Sequence, residues 1–236
     1  MAVGPRLAIT AVAAGSAAVC GTLALGVAPA LAAPDICVAT NGAVRHQSGT
    51  AECSAHEYAG NVAIAKGADS SAVVGPAVRS RAMALGDGSA AWVDHGIDTT
   101  ARATGTDSNA FVFDSENSTA IASGDNASAV IQNGSNSTAV ASGDNSYATT
   151  GYGSNNLIVA SGYGSTAQGG EGDNHTVIAS GDDSSALSYY GNDQIVIASG
   201  DGSTAWTAYG SGQTLLATTD GCTIDLEHQP AGVYTC

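Results

Sequence analysis

A repeat of constant length is the dominant feature of this sequence. Residues 67–218 divide without a gap into eight consecutive blocks of equal length, and each block opens on glycine. The blocks begin at Gly67, Gly86, Gly105, Gly124, Gly143, Gly162, Gly181 and Gly200, so the period is nineteen. A fixed period without insertions indicates one structural unit stacked many times, each copy burying its apolar edge against its neighbours. Positions within a block are numbered from the opening glycine, which is position 1.

Each block has the pattern of one flattened coil of β-structure. Two short apolar alternations, around positions 4–8 and 14–18, are separated by clusters of Gly, Asp and Asn that are typical of turns. A second glycine recurs at position 11, and we expect both glycines to supply positive φ or a close approach of two backbones. The predicted fold class is therefore all-β, a two-sided β-solenoid (β-roll) whose coils lie about 4.8 Å apart.

The alternation of side chains along a strand predicts which positions face the core. Positions 6 and 18 are alanine in all eight blocks, and position 16 is alanine in four blocks and a branched aliphatic residue in the others. We expect these small residues to fill a narrow core. Positions 15 and 17 have the opposite parity and include Arg81 and Arg102, so we expect them to face outward, because an arginine in such a core would be an unpaired buried charge.

The outward positions predict a flat apolar ladder. From the third block onward, position 15 is mostly threonine and position 17 is always a branched aliphatic residue. The side chains at position 17 are those of Ile121, Val140, Val159, Ile178, Ile197 and Leu216. Such a surface predicts an interface, either in a homo-oligomer or with a surface protein or glycan ligand. If the inward and outward positions of the strand are the reverse of this assignment, the same residues form the core.

The beginning of the chain has the pattern of a secretory signal. In residues 1–32, Arg6 precedes an apolar run over 7–27, and Ala30-Leu31-Ala32 fits a cleavage site. We expect cleavage, export to the extracellular space or cell envelope, and no stable membrane insertion afterwards. The alternatives are an uncleaved anchor, because about 20 apolar residues can span a bilayer, and a lipoprotein modified at Cys20, which the preceding Val19 fits poorly.

Four cysteines remain after such a cleavage, and an even number in an exported chain predicts disulfides. Cys37 and Cys53 are far in sequence from Cys222 and Cys236, at opposite ends of the expected rod. Of the three pairings available in principle, the geometry therefore favours Cys37–Cys53 and Cys222–Cys236. A zinc site that uses Cys53 and His56 is the alternative at the first end.

The two cysteine pairs predict caps for the exposed ends of the solenoid. Residues 33–66 would form an amino-terminal disulfide cap in which 48–66 are a degenerate first coil. Residues 67–218 would form the eight coils, and residues 219–236 a carboxyl-terminal disulfide hairpin cap.

Charge and residue pattern argue against nucleic-acid binding and catalysis. All six basic residues lie at or before Arg102, whereas 14 of the 21 acidic residues follow it, which disfavours nucleic acid as a partner. The five histidines do not recur with the period, and no serine lies in a G-x-S-x-G elbow. We therefore predict no catalytic residue and no cofactor.

The alternative to the absence of a cofactor is that the chain binds calcium. Asp125 and Asp144 stack at position 2 of neighbouring coils, as do Asp182 and Asp201, and carboxylates are ligands that calcium prefers. The calcium-binding nonapeptide repeat is missing, however, and hydrogen bonds between Asp or Asn and turn amides explain the composition without metal.

Aromatic residues predict a second kind of contact. We expect five tyrosines at the second turn and two tryptophans at outward position 7, namely Tyr152, Tyr163, Tyr189, Tyr190, Tyr209, Trp92 and Trp206. Exposed aromatic residues on a rigid scaffold suit carbohydrate or protein contact, and they also suit stacking along the edge of the rod.

Two stretches resemble a known family. Arg-Ala-Met-Ala-Leu-Gly-Asp-Gly-Ser-Ala at 81–90 and Ser-Thr-Ala-Val-Ala-Ser-Gly-Asp-Asn-Ser at 137–146 are similar to head repeats of trimeric autotransporter adhesins, over residues 62–218. The resemblance implies a β-roll that trimerises and binds host matrix, although the repeats of that family are shorter. As a whole the chain looks like the small secreted, disulfide-capped repeat proteins of actinobacteria such as mycobacteria.

The sequence thus predicts a secreted, non-enzymatic β-solenoid with a structural or adhesin-like role in surface interaction. The alternatives are binding to ice or another ordered surface, because regular threonine ladders can match a lattice, and a calcium-dependent β-roll module.

Overall fold

A computed structural model describes residues 33–236, which form one compact unit. The proposed signal segment and Cys20 lie outside the described residues. Residues 33–236 contain 21 β-strands and no helix, stacked in about ten coils at a spacing of about 19 residues, which confirms the all-β solenoid. The strands are β1 (Ile36–Thr40), β2 (Ala43–Ser48), β3 (Glu52–Ala55), β4 (Val62–Lys66), β5 (Ser71–Val74), β6 (Arg81–Ala84), β7 (Ala90–Asp94), β8 (Thr100–Ala103), β9 (Asn109–Phe113), β10 (Thr119–Ala122), β11 (Ser128–Val130), β12 (Thr138–Ala141), β13 (Tyr147–Ala148), β14 (Leu157–Ala160), β15 (Thr176–Ala179), β16 (Ser185–Ala186), β17 (Ile195–Ala198), β18 (Thr204–Ala205), β19 (Gln213–Ala217), β20 (Thr223–Ile224) and β21 (Gly232–Thr235).

Two walls of strands enclose the core. Sheet A has twelve strands in the order β2-β1-β4-β6-β8-β10-β12-β14-β15-β17-β19-β21. Sheet B, on the other side, consists of β3-β5-β7-β9-β11-β13 and β16-β18-β20, and Thr166 bridges the two parts by pairing with Tyr147 and Ser185. From β3 onward all pairs within the solenoid are parallel with a constant offset of one block, as in Thr119 with Thr138. Equivalent positions of successive coils therefore lie directly above one another.

The amino-terminal end is closed by an antiparallel hairpin. Strands β1 and β2 are joined by a turn at Asn41 and Gly42, both with positive φ, and β1 then pairs antiparallel with β4. The Cys37–Cys53 disulfide joins β1 to β3, with 5.5 Å between the two Cα atoms. Residues 48–66 form a leading coil, since β3 and β4 pair in parallel with β5 and β6.

The carboxyl-terminal end differs from the expected hairpin. The Cys222–Cys236 disulfide is present, with 6.1 Å between the two Cα atoms. However, β20 pairs in parallel with β18, and β21 pairs in parallel with β19. Residues 219–236 are therefore a trailing coil that continues the solenoid, because the offset of one block persists even though the opening glycine has been replaced by Thr219.

The predicted facing of the side chains is correct. The alanines of positions 6 and 18 and every side chain at position 16 are buried, whereas positions 15 and 17 point outward. The core also contains polar columns that the pattern did not predict. Position 4 is mostly buried serine, and position 14 changes from Ser or Thr to Asn156, His175, Gln194 and Gln213 along the rod.

The large apolar side chains of the core lie on one sheet in the first half of the solenoid and on the other sheet in the second half. In the first four blocks position 8 on sheet B is Val or Ile and position 16 on sheet A is Ala, and all are buried. In the last four blocks position 8 is Thr, Gly or Ser, and position 16 is Ile, Val or Leu. The two columns face each other, because a Cβ built on Gly169 would lie 3.0 Å from Cδ1 of Ile158. The core therefore keeps a similar width although its apolar volume is supplied from opposite sides.

Both turns use residues with positive φ, but not at the glycines that open the blocks; at position 11 only Gly153, Gly172 and Gly191 have positive φ. Positions 3 and 13 have positive φ in all eight blocks, and Asn, Asp or Gly occupies them everywhere except at Arg79. The glycines of position 1 have ordinary φ apart from Gly67, so positive φ is the wrong explanation for them. They are required by close approach instead. A Cβ on Gly181, for example, would lie 2.5 Å from the carbonyl oxygen of Gly200 in the next coil.

Candidate binding surfaces

The sheet A ladder, defined as positions 15 and 17 of blocks three to eight, is an apolar surface without charge. Its column at position 17 consists of Ile121, Val140, Val159, Ile178, Ile197 and Leu216, all half-buried and all pointing away from the core. In the column at position 15, threonine alternates with Leu157 and Ile195, each of which is 40 % exposed. Strand register places each member beside its counterpart in the next coil, so the six residues predicted as an interface form one continuous strip.

The proximal end of the same surface is basic. Met83 and Arg102 continue the column at position 17, and Arg81 precedes the threonines of position 15. On the neighbouring turn, Arg79 forms a bidentate pair with Asp98, and this hydrogen-bonded guanidinium lowers the pKa of the Asp98 carboxyl. Both groups are exposed, so the pair contributes little to stability.

The four aspartates considered as calcium ligands accept hydrogen bonds from the backbone of the turn. One carboxylate oxygen of each of Asp125, Asp144, Asp182 and Asp201 accepts a hydrogen bond from the position 2 amide of the preceding coil, at 2.8–3.0 Å. This ladder explains why position 2 favours aspartate. Within residues 33–236 no group of three His, Cys, Asp or Glu side chains is arranged to hold a metal ion. The absence of a cofactor stays a prediction, with calcium as its alternative.

The zinc alternative at the amino-terminal cap is wrong for this structure, because Cys53 is in the disulfide with Cys37 and has no free thiolate. The ring of His56 packs against Tyr58 at a centroid distance of 4.4 Å.

The most polar group of side chains lies inside the core. His175 is fully buried, its Nδ1 lies 3.1 Å from Oγ of Ser188, and its Nε2 contacts the carbonyl oxygen of Gly191. Oγ of Ser188 also donates to Oε1 of Gln194, which accepts a further hydrogen bond from Thr207 at 3.1 Å. Burial lowers the pKa of His175, while the contact with Gly191 and the charges of Asp173 and Asp193 oppose that shift. Since these groups have no exposure to solvent, they stabilise the core rather than form an accessible reaction site.

The aromatic residues divide between surfaces. Tyr190 and Tyr209 stack at position 10 with ring centroids 5.2 Å apart, and His228 continues the stack at 4.9 Å from Tyr209. Tyr152 is exposed at the same edge, whereas Tyr163 lies at position 2 on the opposite edge, contrary to expectation. On sheet B, Tyr189 and Trp206 pack edge to face at 5.0 Å.

A second aromatic cluster escaped the sequence analysis. Trp92, which is 40 % exposed, lies 6.2 Å from the ring of Phe111 and 5.5 Å from that of Phe113 on the outer side of sheet B. We call these three residues the aromatic platform. The sequence feature that could have predicted this cluster is that both phenylalanines of the chain lie close together in one block, directly after the block that contains Trp92. A groove of about 300 Å³, lined by Phe113, Asp114, Gln132 and Asn133, adjoins the platform.

Two further observations bear on the setting of these surfaces. The two disulfides indicate an oxidising environment of the extracellular type. Among residues 33–236 the structure offers no helix long and apolar enough to cross a membrane. Comparison with known proteins adds no relative, since neither a protein-family model nor a curated protein matches the chain.

Proposed function

We propose that this protein is a secreted, non-enzymatic β-solenoid with a structural or adhesin-like role, and that it associates through the sheet A ladder. The observation that carries the proposal is the uninterrupted, uncharged strip of branched aliphatic side chains at position 17 on a rigid sheet. Exposed apolar patches of this extent are typical of interaction surfaces. The ladder lies outside the core, so neither packing nor solubility requires branched aliphatic residues at these positions.

A second copy of the chain is the partner that fits the ladder best. The ladder repeats every coil, about 4.8 Å, and another solenoid has the same period. The ladder extends over six coils and four residues per strand, or about 29 Å by 13 Å. Two such faces would bury about 750 Å², less than the roughly 1,200 Å² of the smallest standard interfaces and in keeping with a weak, transient contact. We therefore expect a reversible homo-oligomer rather than a permanent one.

Light scattering over a range of protein concentrations tests this proposal. Ile178→Asp places a charge at the centre of the ladder, and we expect it to abolish the self-association seen in the unmodified mature chain. Leu187→Asp is the matched control, because Leu187 is a half-buried outward residue on sheet B and lies away from the ladder.

The outcomes separate the alternatives. If the unmodified chain and Ile178→Asp are both stable monomers at every concentration, self-association through the ladder is wrong. If Leu187→Asp dissociates the oligomer and Ile178→Asp does not, the interface lies on sheet B.

Binding to ice or another ordered surface is the second candidate, favoured by the threonines of position 15, which lie in register on a rigid sheet. Leu157 and Ile195 interrupt that column and weaken the match to a lattice. Inhibition of ice recrystallisation by the mature chain, lost on Thr138→Leu, would support this function over self-association.

A further inference from the structure

We propose that the aromatic platform and its adjoining groove bind a neutral glycan, by stacking a pyranose ring on the platform. The site lies on sheet B, away from the sheet A ladder, so it does not depend on the function proposed above.

The platform exists because two strands of sheet B are longer than the rest. Strands β7 and β9 have five residues, whereas the other sheet B strands have two to four. The additional residue is position 9, where Asp94 pairs with Phe113. Position 9 has the same outward parity as position 7, so Phe113 lies beside Trp92 and Phe111 on one surface.

The turn after these strands has an unusual backbone. His95 and Asp114, both at position 10, have φ of 48° and 27°, a conformation that position 10 adopts elsewhere in residues 33–236 only at His228. Aspartate and histidine tolerate this conformation, and here it turns the chain directly after the two lengthened strands. Asp114 lines the groove, and Nδ1 of His95 lies 3.0 Å from Oδ1 of Asp94 and 3.9 Å from Oδ1 of Asp114.

The polar side chains of the groove differ from those at positions 2 and 12 of the turns. At those two positions aspartate and asparagine side chains accept hydrogen bonds from the amides of neighbouring coils. Asp114, Gln132 and Asn133 make no side-chain hydrogen bond within the described residues, although they line the same groove. One carboxylate and two amides therefore remain available as acceptors and donors for a ligand.

This combination matches the two surfaces of a sugar. The face of an aromatic ring carries negative charge density, which attracts the weakly positive C–H groups on the apolar face of a pyranose. Hydroxyl groups at the rim of that pyranose both donate and accept hydrogen bonds; the carboxamides of the groove can also do both, and its carboxylate can accept. Asp94 and Asp114 would repel a sulfated or carboxylated sugar, so the glycan is neutral. A groove of about 300 Å³ suits a small ligand, while three rings are too few for a protein interface.

Tryptophan fluorescence provides the test, because the chain has only Trp92 and Trp206. In a Trp206→Phe background, Trp92 is the single reporter. The probes are hexasaccharides of cellulose, chitin, amylose and α-mannan, with a heparin hexasaccharide as the anionic comparison. We expect a saturable change in Trp92 emission with at least one neutral probe, with a Kd on the order of 1 mM or tighter, and none with heparin.

Variants then assign the site. Phe113→Ala should weaken binding at least about 10-fold, as expected for a central aromatic contact, and Asn133→Ala should weaken it with the platform intact. Tyr163→Ala, an exposed tyrosine on another edge, should bind normally. Ile178→Asp should also bind normally, which separates this site from the sheet A ladder. Melting curves of each variant distinguish lost binding from lost folding.

The proposal is wrong if no neutral probe changes Trp92 emission, or if the heparin fragment binds as tightly as the best neutral one. It is also wrong if Trp92 emission depends on protein concentration without sugar, since the platform would then be covered by a second copy of the chain.

Discussion

The glycine at position 1 of each block limits the chain at the scale of single residues, because backbones of neighbouring coils meet there. A Cβ built on Gly124 would lie 2.8 Å from the amide nitrogen of Asp144 and closer still to Gly143. Real Cβ atoms do not approach a backbone atom so closely, so any larger residue must separate the two coils. The same contact recurs in every block, which explains why the period begins on glycine.

We predict that Gly124→Ala lowers the free energy of unfolding by roughly 2–3 kcal/mol, in the range of overpacked core variants. Gly202→Asn is the control, since Gly202 has open space around its missing Cβ and its positive φ is one that Asn126 and Asn145 adopt at the same position. Urea unfolding measures both. Equal destabilisation by the two substitutions would contradict the steric explanation.

The second prediction at this scale concerns His175, whose pKa is lowered by burial. In the unfolded chain the imidazole takes up a proton near its ordinary pKa of 6.5, whereas the folded chain resists protonation. His175 therefore favours folding above about pH 6.5, and this contribution is lost as the pH falls towards the lower pKa of the folded state.

We expect the unfolding free energy of the unmodified chain to decrease between pH 7 and pH 5, and His175→Gln to flatten that decrease. Gln is the natural replacement because Gln194 and Gln213 occupy the same column of the core. Urea titrations at several pH values provide the measurement, and identical pH profiles for the two proteins would show that another group is responsible.

At the scale of strands, the large core side chains lie on sheet B in the first four blocks and on sheet A in the last four. Paired substitutions can test whether these two columns of side chains fill one shared space. By analogy with Gly169 and Ile158, Val112 on β9 faces Ala101 on β8. Val112→Ala should be destabilising by about 2 kcal/mol through the cavity it leaves. Ala101→Val should be destabilising by about 1–3 kcal/mol through overpacking.

The double variant Val112→Ala/Ala101→Val reproduces the arrangement of the last four blocks. We therefore predict that it loses less unfolding free energy than the two single variants lose when their losses are added together. A coupling energy of at least about 1 kcal/mol in a double-mutant cycle is the expected result. Simple additivity would mean that the two columns do not share one space.

Sequence reasoning predicted this level of structure well where the period applied and poorly where it did not. The alanines of position 18 and the arginines of positions 15 and 17 were sufficient to orient sheet A, and the alanines of position 6 oriented sheet B. The trailing coil was mistaken for a hairpin, because Thr219 replaces the glycine that marks each block and a disulfide suggested a closed loop. The lengthening of β7 and β9 was also missed, since it depends on the backbone turning at His95 and Asp114 and not on an alternation of residues.

For the whole molecule, stacking in strict register predicts that length can change only in whole coils. Deletion of residues 105–123 removes one block and joins two coils that have the same form. In repeat proteins stability is approximately a sum over units and their interfaces, so this shorter chain should still fold, with a lower unfolding free energy.

Deletion of residues 106–123 is the matched comparison. It removes one residue fewer and leaves an additional residue in a turn, so the strands beyond it lose their register with those before. We expect cooperative melting by circular dichroism for the first deletion and loss of the cooperative transition for the second. Equal folding of both would mean that the turns absorb insertions freely.

The two ends of sheet A are not equivalent. Strand β1 runs antiparallel to β4 and covers it, and β2 folds back on β1 as the edge strand, whereas β21 continues the parallel stack and has a neighbour only at β19 within residues 33–236. Backbone amides and carbonyls on the outer side of β21 have no strand partner within the described residues, whereas β2, the edge strand at the other end, carries Arg45 and His46, and a charged side chain such as that of Arg45 discourages pairing with a further strand. Within residues 33–236, the β21 end of sheet A is therefore the edge with less protection against pairing with a further strand.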